Sequence, residues 1–372
     1  MVISRSRGRM PVLLIIACII IVQKGWARNP DGSLGLIRYP ISTRPALVTS
    51  GSSITLELTS EKPVSDLSVE LFTGTKSFPI FKSPQGQVYD VLPRRAFDKL
   101  GERWAGRDMV TLTDLVQVRV DIPKSIVDGL YGLRVRCSAG VDTSERAVQV
   151  FSSWPRKYDI CHLTDVHIGK KDMPNTDGIF RAVARRVNRE KPAFVIITGD
   201  ITDNSLPDEY RVFLSVLDTF EVPTFVVPGN HDSYGDSGDG TAEVECFLGD
   251  GNYGFSFGSD YYLGMEGVAG KFTDEHKAII ERYLSSSPAG LRCVFNHDEY
   301  DKIRTWLDSL LDQYNVQLYL CGHHHQNLVE FRDKVKRTNV LTDATFSHGG
   351  CYNTISIEDG TVTSIRLHVG QI

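Results

Sequence analysis

Five stretches constrain this chain more than any other feature: "YDICHLTDVH", "AFVIITGD", "TFVVPGNHD", "RCVFNHDEY" and "VQLYLCGHHH". Each is a short apolar run that ends in a cluster of polar residues. Runs of that length, rich in Val, Ile and Leu, read as buried strands. Helical stretches lie between them. In "IFRAVARRV", Phe180, Val183, Ala184 and Val187 share one helical face, and "PDEYRVFLSVLDTF" and "YDKIRTWLDSLLDQY" repeat the pattern. Strands alternating with helices imply a mostly parallel sheet covered on both faces, whose ligands bind beyond the carboxyl ends of the strands. Every polar cluster falls there.

The preceding region has a different texture. From 36 to 151, "SSITLELTS", "LSVELFTG", "LVQVRVDI", "YGLRVRCSAG" and "ERAVQVF" alternate apolar with polar residues between Gly, Pro, Ser and Asp. This predicts a small all-β, immunoglobulin-like sandwich over 36–151, interrupted at "LPRRAFDKLGERW" by a helix or loop. No catalytic cluster is visible in it. "SSWPRKYD" marks the boundary to an α/β catalytic domain over 157–372, which closes with a hairpin around Gly360. The Gly- and Asp-rich segment 233–252 reads as a mobile rim of the site.

Residues 1–27 carry Arg5, Arg7 and Arg9 ahead of the apolar run "VLLIIACIIIV", with Gly25 and Ala27 at cleavage-site positions. That is the layout of a secretory signal peptide, and the run is short of the ~20 residues that span a bilayer. The expectation is a secreted, periplasmic or cell-surface protein. "IIAC" resembles a lipobox ending at Cys18, so a lipid anchor or an uncleaved leader stays open, and a membrane partner only in those cases. Loss of the four leader cations Arg5, Arg7, Arg9 and Lys24 takes the formal charge from −5 to −9. No nucleic-acid polymer is expected on so acidic a chain. Of the six later cysteines, Cys161, Cys293 and Cys321 sit in apolar strands and read as buried thiols, while Cys137, Cys246 and Cys351 are left undecided.

The clusters also form a ligand inventory. In extended chain, residues i and i+2 point the same way, so Asp165 pairs with His167 and His323 with His325, while His324 turns away. Asp200, Asn230, His231 and His297 complete the set, with Asp200 suited to bridge. Imidazole, carboxylate and amide oxygen together suit two divalent ions of the Mn, Fe or Zn kind. Such a pair lowers the pKa of a shared water for attack on phosphorus. Each motif alone is weak; five at five strand ends are not.

In the order D-x-H, G-D-x-x-D, G-N-H-D, H, G-H-x-H, the chain resembles the calcineurin-like metallophosphoesterase superfamily over about 157–345. The resemblance implies a four-layer α/β/β/α sandwich. It implies one metal held by Asp165, His167, Asp200 and His325, and a second by Asp200, Asn230, His297 and His323. His231 would be proton donor or phosphate clamp, with Asp232 orienting it and Asp203 behind the ligands. "GDITDNS" lacks the arginine of the phosphoprotein branch, and His167 and Asp203 replace residues typical of purple acid phosphatases. The opening "HLTDVHIG" looks more like the phosphodiesterase-type branch.

The expected function is an exported dinuclear phosphoesterase acting on a small monoester or diester through metal-activated hydroxide. The alternative is an idle scaffold that binds through its β-sandwich, and a metal held only for stability is a third reading. Oligomeric state is left open. Among the other histidines, His162 reads as packed, His276 as surface, His348 as pocket or turn, and His368 as uninformative; Asp298 and Glu299 receive little weight.

Overall fold

The computed structural model describes residues 29, 32–60, 62–91, 115–234, 241–266, 274–298, 304–333 and 336–370. The expected signal peptide, "LPRRAFDKLGERW", Glu299, the side chain of His276 and part of the 233–252 rim lie outside them.

Alternation in the N-terminal strands produces two sheets, one face of each buried. The first joins β1 (Ile37–Tyr39), β3 (Ser53–Thr59) and β8 (Leu115–Asp121). The second runs β2 (Ala46–Thr49), β10 (Gly140–Phe151), β9 (Gly129–Cys137), β5 (Ser68–Thr73) and β6 (Lys76–Lys82). A two-residue pairing of β4 (Val64–Ser65) with β7 (Val88–Tyr89) lies beside them. Leu56, Leu58, Val116 and Val120 of the first sheet meet Val69, Leu71, Leu133, Val135 and Val148 of the second in one core. One pairing, β2 with β10, is parallel; the others in these two sheets are antiparallel.

Two further sheets carry the predicted clusters. One has the order β13 (Thr224–Val227), β12 (Phe194–Thr198), β11 (Lys157–Leu163), β20 (Cys351–Glu358) and β21 (Thr361–Val369). The other runs β14 (Tyr253–Phe257), β15 (Asp260–Gly264), β16 (Arg292–Phe295), β17 (Leu318–Cys321), β19 (Arg337–Leu341) and β18 (Leu328–Arg332). Strands β11, β12 and β13 are mutually parallel, as are β15, β16, β17 and β19.

Period-two alternation along these strands sorts their side chains into layers. Ile160, Phe194, Ile196 and Phe225 face Phe255, Tyr262, Cys293, Phe295 and Leu320 between the sheets. Cys161, Leu163, Val195 and Ile197 face outward onto α1 (Thr176–Glu190) and α2 (Pro207–Leu217). On the far side Leu263, Val294 and Tyr319 meet Ile280 and Leu284 of α4 (Asp274–Ser285) and Leu307 and Leu311 of α5 (Arg304–Gln313). Helix, sheet, sheet and helix thus form four layers, and Phe180, Val183, Ala184 and Val187 are all fully buried on α1.

The segment 233–252 is not loop throughout. It contains α3 (Thr241–Phe247), whose Val244 and Phe247 enter the core under α2, because two apolar residues one turn apart are cheaper buried than wet. The two halves of the molecule are joined by polar contacts. Arg146, buried at a break in the β9–β10 register, donates to the carbonyls of Phe220 (2.7 Å) and Val222 (2.6 Å). Thr224 Oγ1 donates to the Ser42 carbonyl at 2.8 Å, and Thr43 Oγ1 to that of Leu248 at 2.8 Å. Cys161, Cys293, Cys321 and Cys351 are buried thiols, and Cys137 and Cys246 are half-buried thiols.

Candidate metal centre

All five clusters emerge at carboxyl strand ends. Asp165 and His167 follow β11, Asp200 follows β12, Asn230 and His231 follow β13, His297 follows β16, and His323 and His325 follow β17. The tips of β12 and β13 approach closely through glycine. A Cβ on Gly199 would lie 2.5 Å from the Gly229 nitrogen, so neither turn tolerates a side chain there. That proximity brings the His231 N–H within 2.8 Å of Asp200 Oδ1.

The backbone at these tips is not extended. Asp165, His167, Asp200, His323 and His325 have φ of 52°, 48°, 48°, 74° and 50°. Left-handed geometry at residues bearing a Cβ costs about 1–3 kcal/mol each, and it concentrates at functional sites. It also corrects one expectation. Alternation was to aim His323 and His325 together; instead His325 Nε2 lies 3.1 Å from Asp165 Oδ1, while His323 Nδ1 lies 3.3 Å from His297 Nε2.

The donor atoms form a continuous chain. From His325 and Asp165 it passes to His167 Nε2, 3.7 Å from Asp165 Oδ1. Asp200 Oδ2 then lies 3.5 Å from His167 Nε2 and 3.2 Å from His297 Nε2, which leads on to His323. Asp200 is therefore central. Among the described residues, three triads bring their ligand atoms within 4.8 Å of one another: Asp165, His167 and His325; His167, Asp200 and His231; and Asp200, His297 and His323. Atoms ~2.1 Å from a common ion at right angles stand ~3 Å apart, close to the spacing seen.

Outer hydrogen bonds fix which lone pairs face inward. His167 Nδ1 donates to Asp203 Oδ1 (3.0 Å), and His297 Nδ1 donates to the Thr198 carbonyl (2.8 Å), leaving Nε2 of each as the acceptor. Thr164 Oγ1 and the His323 N–H both donate to Asp165 Oδ2, leaving Oδ1 to the histidines. Asn230 Nδ2 donates to the Tyr234 hydroxyl at 2.9 Å. Two buried atoms, His167 Nε2 and Asn230 Oδ1, have no hydrogen-bond partner among the described residues. Both are lone-pair donors, and a divalent cation satisfies them where burial alone would penalise them.

The charges point the same way. Burial opposes a proton on His297, yet the Asp200 and Asp165 carboxylates raise its pKa to about 10. Burial likewise opposes ionisation of Asp165 and Asp200, yet His297 above all, with the other imidazoles, holds both below the usual carboxylate range. The cluster is an anionic cage that favours positive charge.

Asp232 needs a correction. Its carboxylate accepts from the backbone N–H groups of Ile201 (3.2 Å), Thr202 (2.9 Å) and Gly229 (2.8 Å) and from Thr202 Oγ1 (2.8 Å). It ties the β12 and β13 turns together. The group that orients His231 is the Asp203 carbonyl, 2.8 Å from Nδ1. Burial first, then the nearby Asp200, pushes the Asp232 carboxyl up to about 6.

His162 is packed as expected, between Thr198 Oγ1 (2.8 Å) and Thr342 Oγ1 (2.7 Å). His348 occupies a turn, and His324 belongs to none of the triads. His368, which carried no signal in the sequence, stacks on Tyr352. Two neighbours of the cluster escaped sequence reading. Phe346 lies edge-on to His167 (5.6 Å between ring centres) and His325 (5.3 Å), and Tyr234 rests against His231 (4.7 Å). Tyr234, four residues after Asn230, could be found from its position; nothing marks Phe346. A cavity of about 420 Å³ is lined by Ile168, Gly169, Lys170 and Met173, just after His167 in the chain, and by Glu209. A larger one of about 450 Å³ is lined by Phe151, Lys157, Tyr158 and Lys191, and no residue of the triads lines either cavity.

This chain is similar to known proteins to different extents. Residues 158–327, just under half of the chain, match the family model described as calcineurin-like phosphoesterase. A probable glycerophosphodiester phosphodiesterase of Arcobacter nitrofigilis is 30% identical over 182 residues, which is 43% of this chain and 65% of that protein. A probable cyclic nucleotide phosphodiesterase of Coxiella burnetii is 23% identical over 193 residues, 45% of this chain and 76% of its own length. The structure of a purple acid phosphatase from yellow lupin seeds superposes with a TM-score of 0.53 at 14% identity, covering 88% of this chain and 74% of that one. At that identity the last likeness concerns the fold.

Proposed function

We propose that this chain, a member of the calcineurin-like phosphoesterases through residues 158–327, hydrolyses a small phosphoester at the histidine–aspartate cage. In this reading two divalent ions of the Mn, Fe or Zn kind bind there. Asp165, His167, Asp200 and His325 would hold one, and Asp200, Asn230, His297 and His323 the other. The observation that carries it is the unbroken chain of donor atoms through Asp200, together with the orphaned His167 Nε2 and Asn230 Oδ1. When bound, such ions supply Lewis acidity to a phosphoryl oxygen and a nucleophile at neutral pH.

The remaining work belongs to the chain. Asp203 and the Thr198 carbonyl keep protons on the outer nitrogens of His167 and His297, so the inner nitrogens stay ligands. The Asp203 carbonyl holds Nδ1 of His231, which leaves Nε2 to pass a proton to the departing oxygen. Asp232 takes no part in that transfer; it holds the two turns in register.

Both phosphodiesterase relatives are named for phosphodiester substrates, which makes a diester the first substrate to test. The experiment is turnover of bis-(p-nitrophenyl) phosphate by protein loaded in turn with Mn, Zn and Fe, with metal counted per chain. Two ions and turnover that chelation abolishes support the reading. Metal-loaded protein without turnover on any phosphoester leaves an idle scaffold. Export is part of the same proposal, resting on residues 1–27; an intact leader on protein recovered from the cytosol would overturn it.

A further inference from the structure

Lys170 stands beside the histidines of the cage, in contact with Asp203 and Phe346, and no motif contains it. The turn after His167 is closed by the Lys170 N–H on the His167 carbonyl at 3.2 Å. The ammonium lies 5.7 Å from the centre of the Phe346 ring, the ring that packs against His167 and His325. It also lies 3.7 Å from Asp203 Oδ1 and 3.7 Å from Asp172 Oδ1. Asp203 thus contacts three groups at once: Lys170 and His167 through its carboxylate, and His231 through its carbonyl. A lysine without a task extends into water to keep its rotamer freedom. The Lys170 side chain is instead only 22% exposed, lying against an aromatic face at the rim of the cage.

We infer that Lys170 is a substrate-binding residue that grips the extra negative charge of a phosphomonoester dianion, extending the substrate range from diesters to monoesters. The inference rests on the phosphoesterase reading. Three features support it. The ammonium is anchored by the residue that orients both His167 and His231, so it keeps a fixed place beside those two histidines. Neither acid neutralises it fully: Asp203 already accepts from His167, and Asp172 is largely solvent-exposed. Phe346 walls one side from water, which strengthens an ion pair formed there.

The test is a split of KM against kcat on two esters that differ by one charge. Lys170→Met should raise KM for p-nitrophenyl phosphate about 5–10-fold and KM for bis-(p-nitrophenyl) phosphate less than about 3-fold, a half-screened ion pair being worth that much. Metal content and both kcat values should hold within about 2-fold, and Lys170→Arg should recover most of the loss. Parallel changes on both esters, or a fall in metal content, would overturn the inference. If wild-type protein turns over neither ester, the phosphoesterase reading fails, and calorimetric binding of inorganic phosphate to metal-loaded protein decides the role of Lys170 by itself. A dissociation constant about 5–10-fold weaker in Lys170→Met sustains it; an unchanged constant, or no phosphate binding by wild-type protein, removes it.

Discussion

The two halves of this molecule use strands for opposite purposes. In the N-terminal unit β3 and β8 bury every second residue and leave the rest to solvent, and left-handed backbone outside glycine is confined, among the described residues, to Asp66 and Arg146. In the other half β12, β13 and β17 are buried on both faces, and the chain twists into left-handed geometry as soon as three of its strands end. A sheet buried on both sides has nowhere to present polar groups except its tips. The difference teaches that strain and charge gather where a rigid, dry scaffold over-determines the backbone.

The comparison can be broken most directly at Asp200. If the tips rather than the scaffold carry function, Asp200→Ala should drop turnover to background, at least about 10³-fold, and cut metal content while leaving the fold intact by circular dichroism. A variant that keeps wild-type rates would end the bridging role. Next come the three adjacent histidines. His323→Ala and His325→Ala should each lose at least one ion per chain, because they serve different triads, whereas His324→Ala should keep both; metal analysis of the three proteins decides it. Asp203→Asn should cost about 10–100-fold in metal affinity or rate by loosening His167, a loss readable in a chelator competition. The smallest functional effect is expected at the seam. Arg146→Ala leaves the carbonyls of Phe220 and Val222 without their buried donor and should destabilise by about 2–4 kcal/mol in a urea titration, with kcat changed less than about 2-fold. A large kcat loss there would mean that the N-terminal unit shapes the site, and the contrast between the halves would have to be redrawn.

How much of this was legible depended on range. The strands around Ile160, Ile196, Val226, Val294 and Leu320 were readable because fully apolar runs bounded by polar residues have few other ways to fold. The helical face of Phe180 and Val187 was readable for the same reason. Residue types at the tips named the donor chemistry, and the central place of Asp200 among the donors could be anticipated from the motifs. The partner of His231 could not. Asp232 is adjacent in sequence, but its carboxylate is drawn to four donors of the β12 and β13 turns, and a carbonyl 28 positions upstream takes its expected place. The i, i+2 rule failed for His323 and His325 because it assumes an extended chain, and the chain there has positive φ.

By itself, the sequence determined the buried strands, the order of their tips and the kinds of donor they carry, since burial and donor type are properties of local composition. The tertiary structure alone decided which donors face one another, that Phe346 and Lys170 stand beside the cage, and that Asp203 orients His167 and His231. Those are distances between segments far apart along the chain, and they follow from how two sheets pack, which no local pattern encodes.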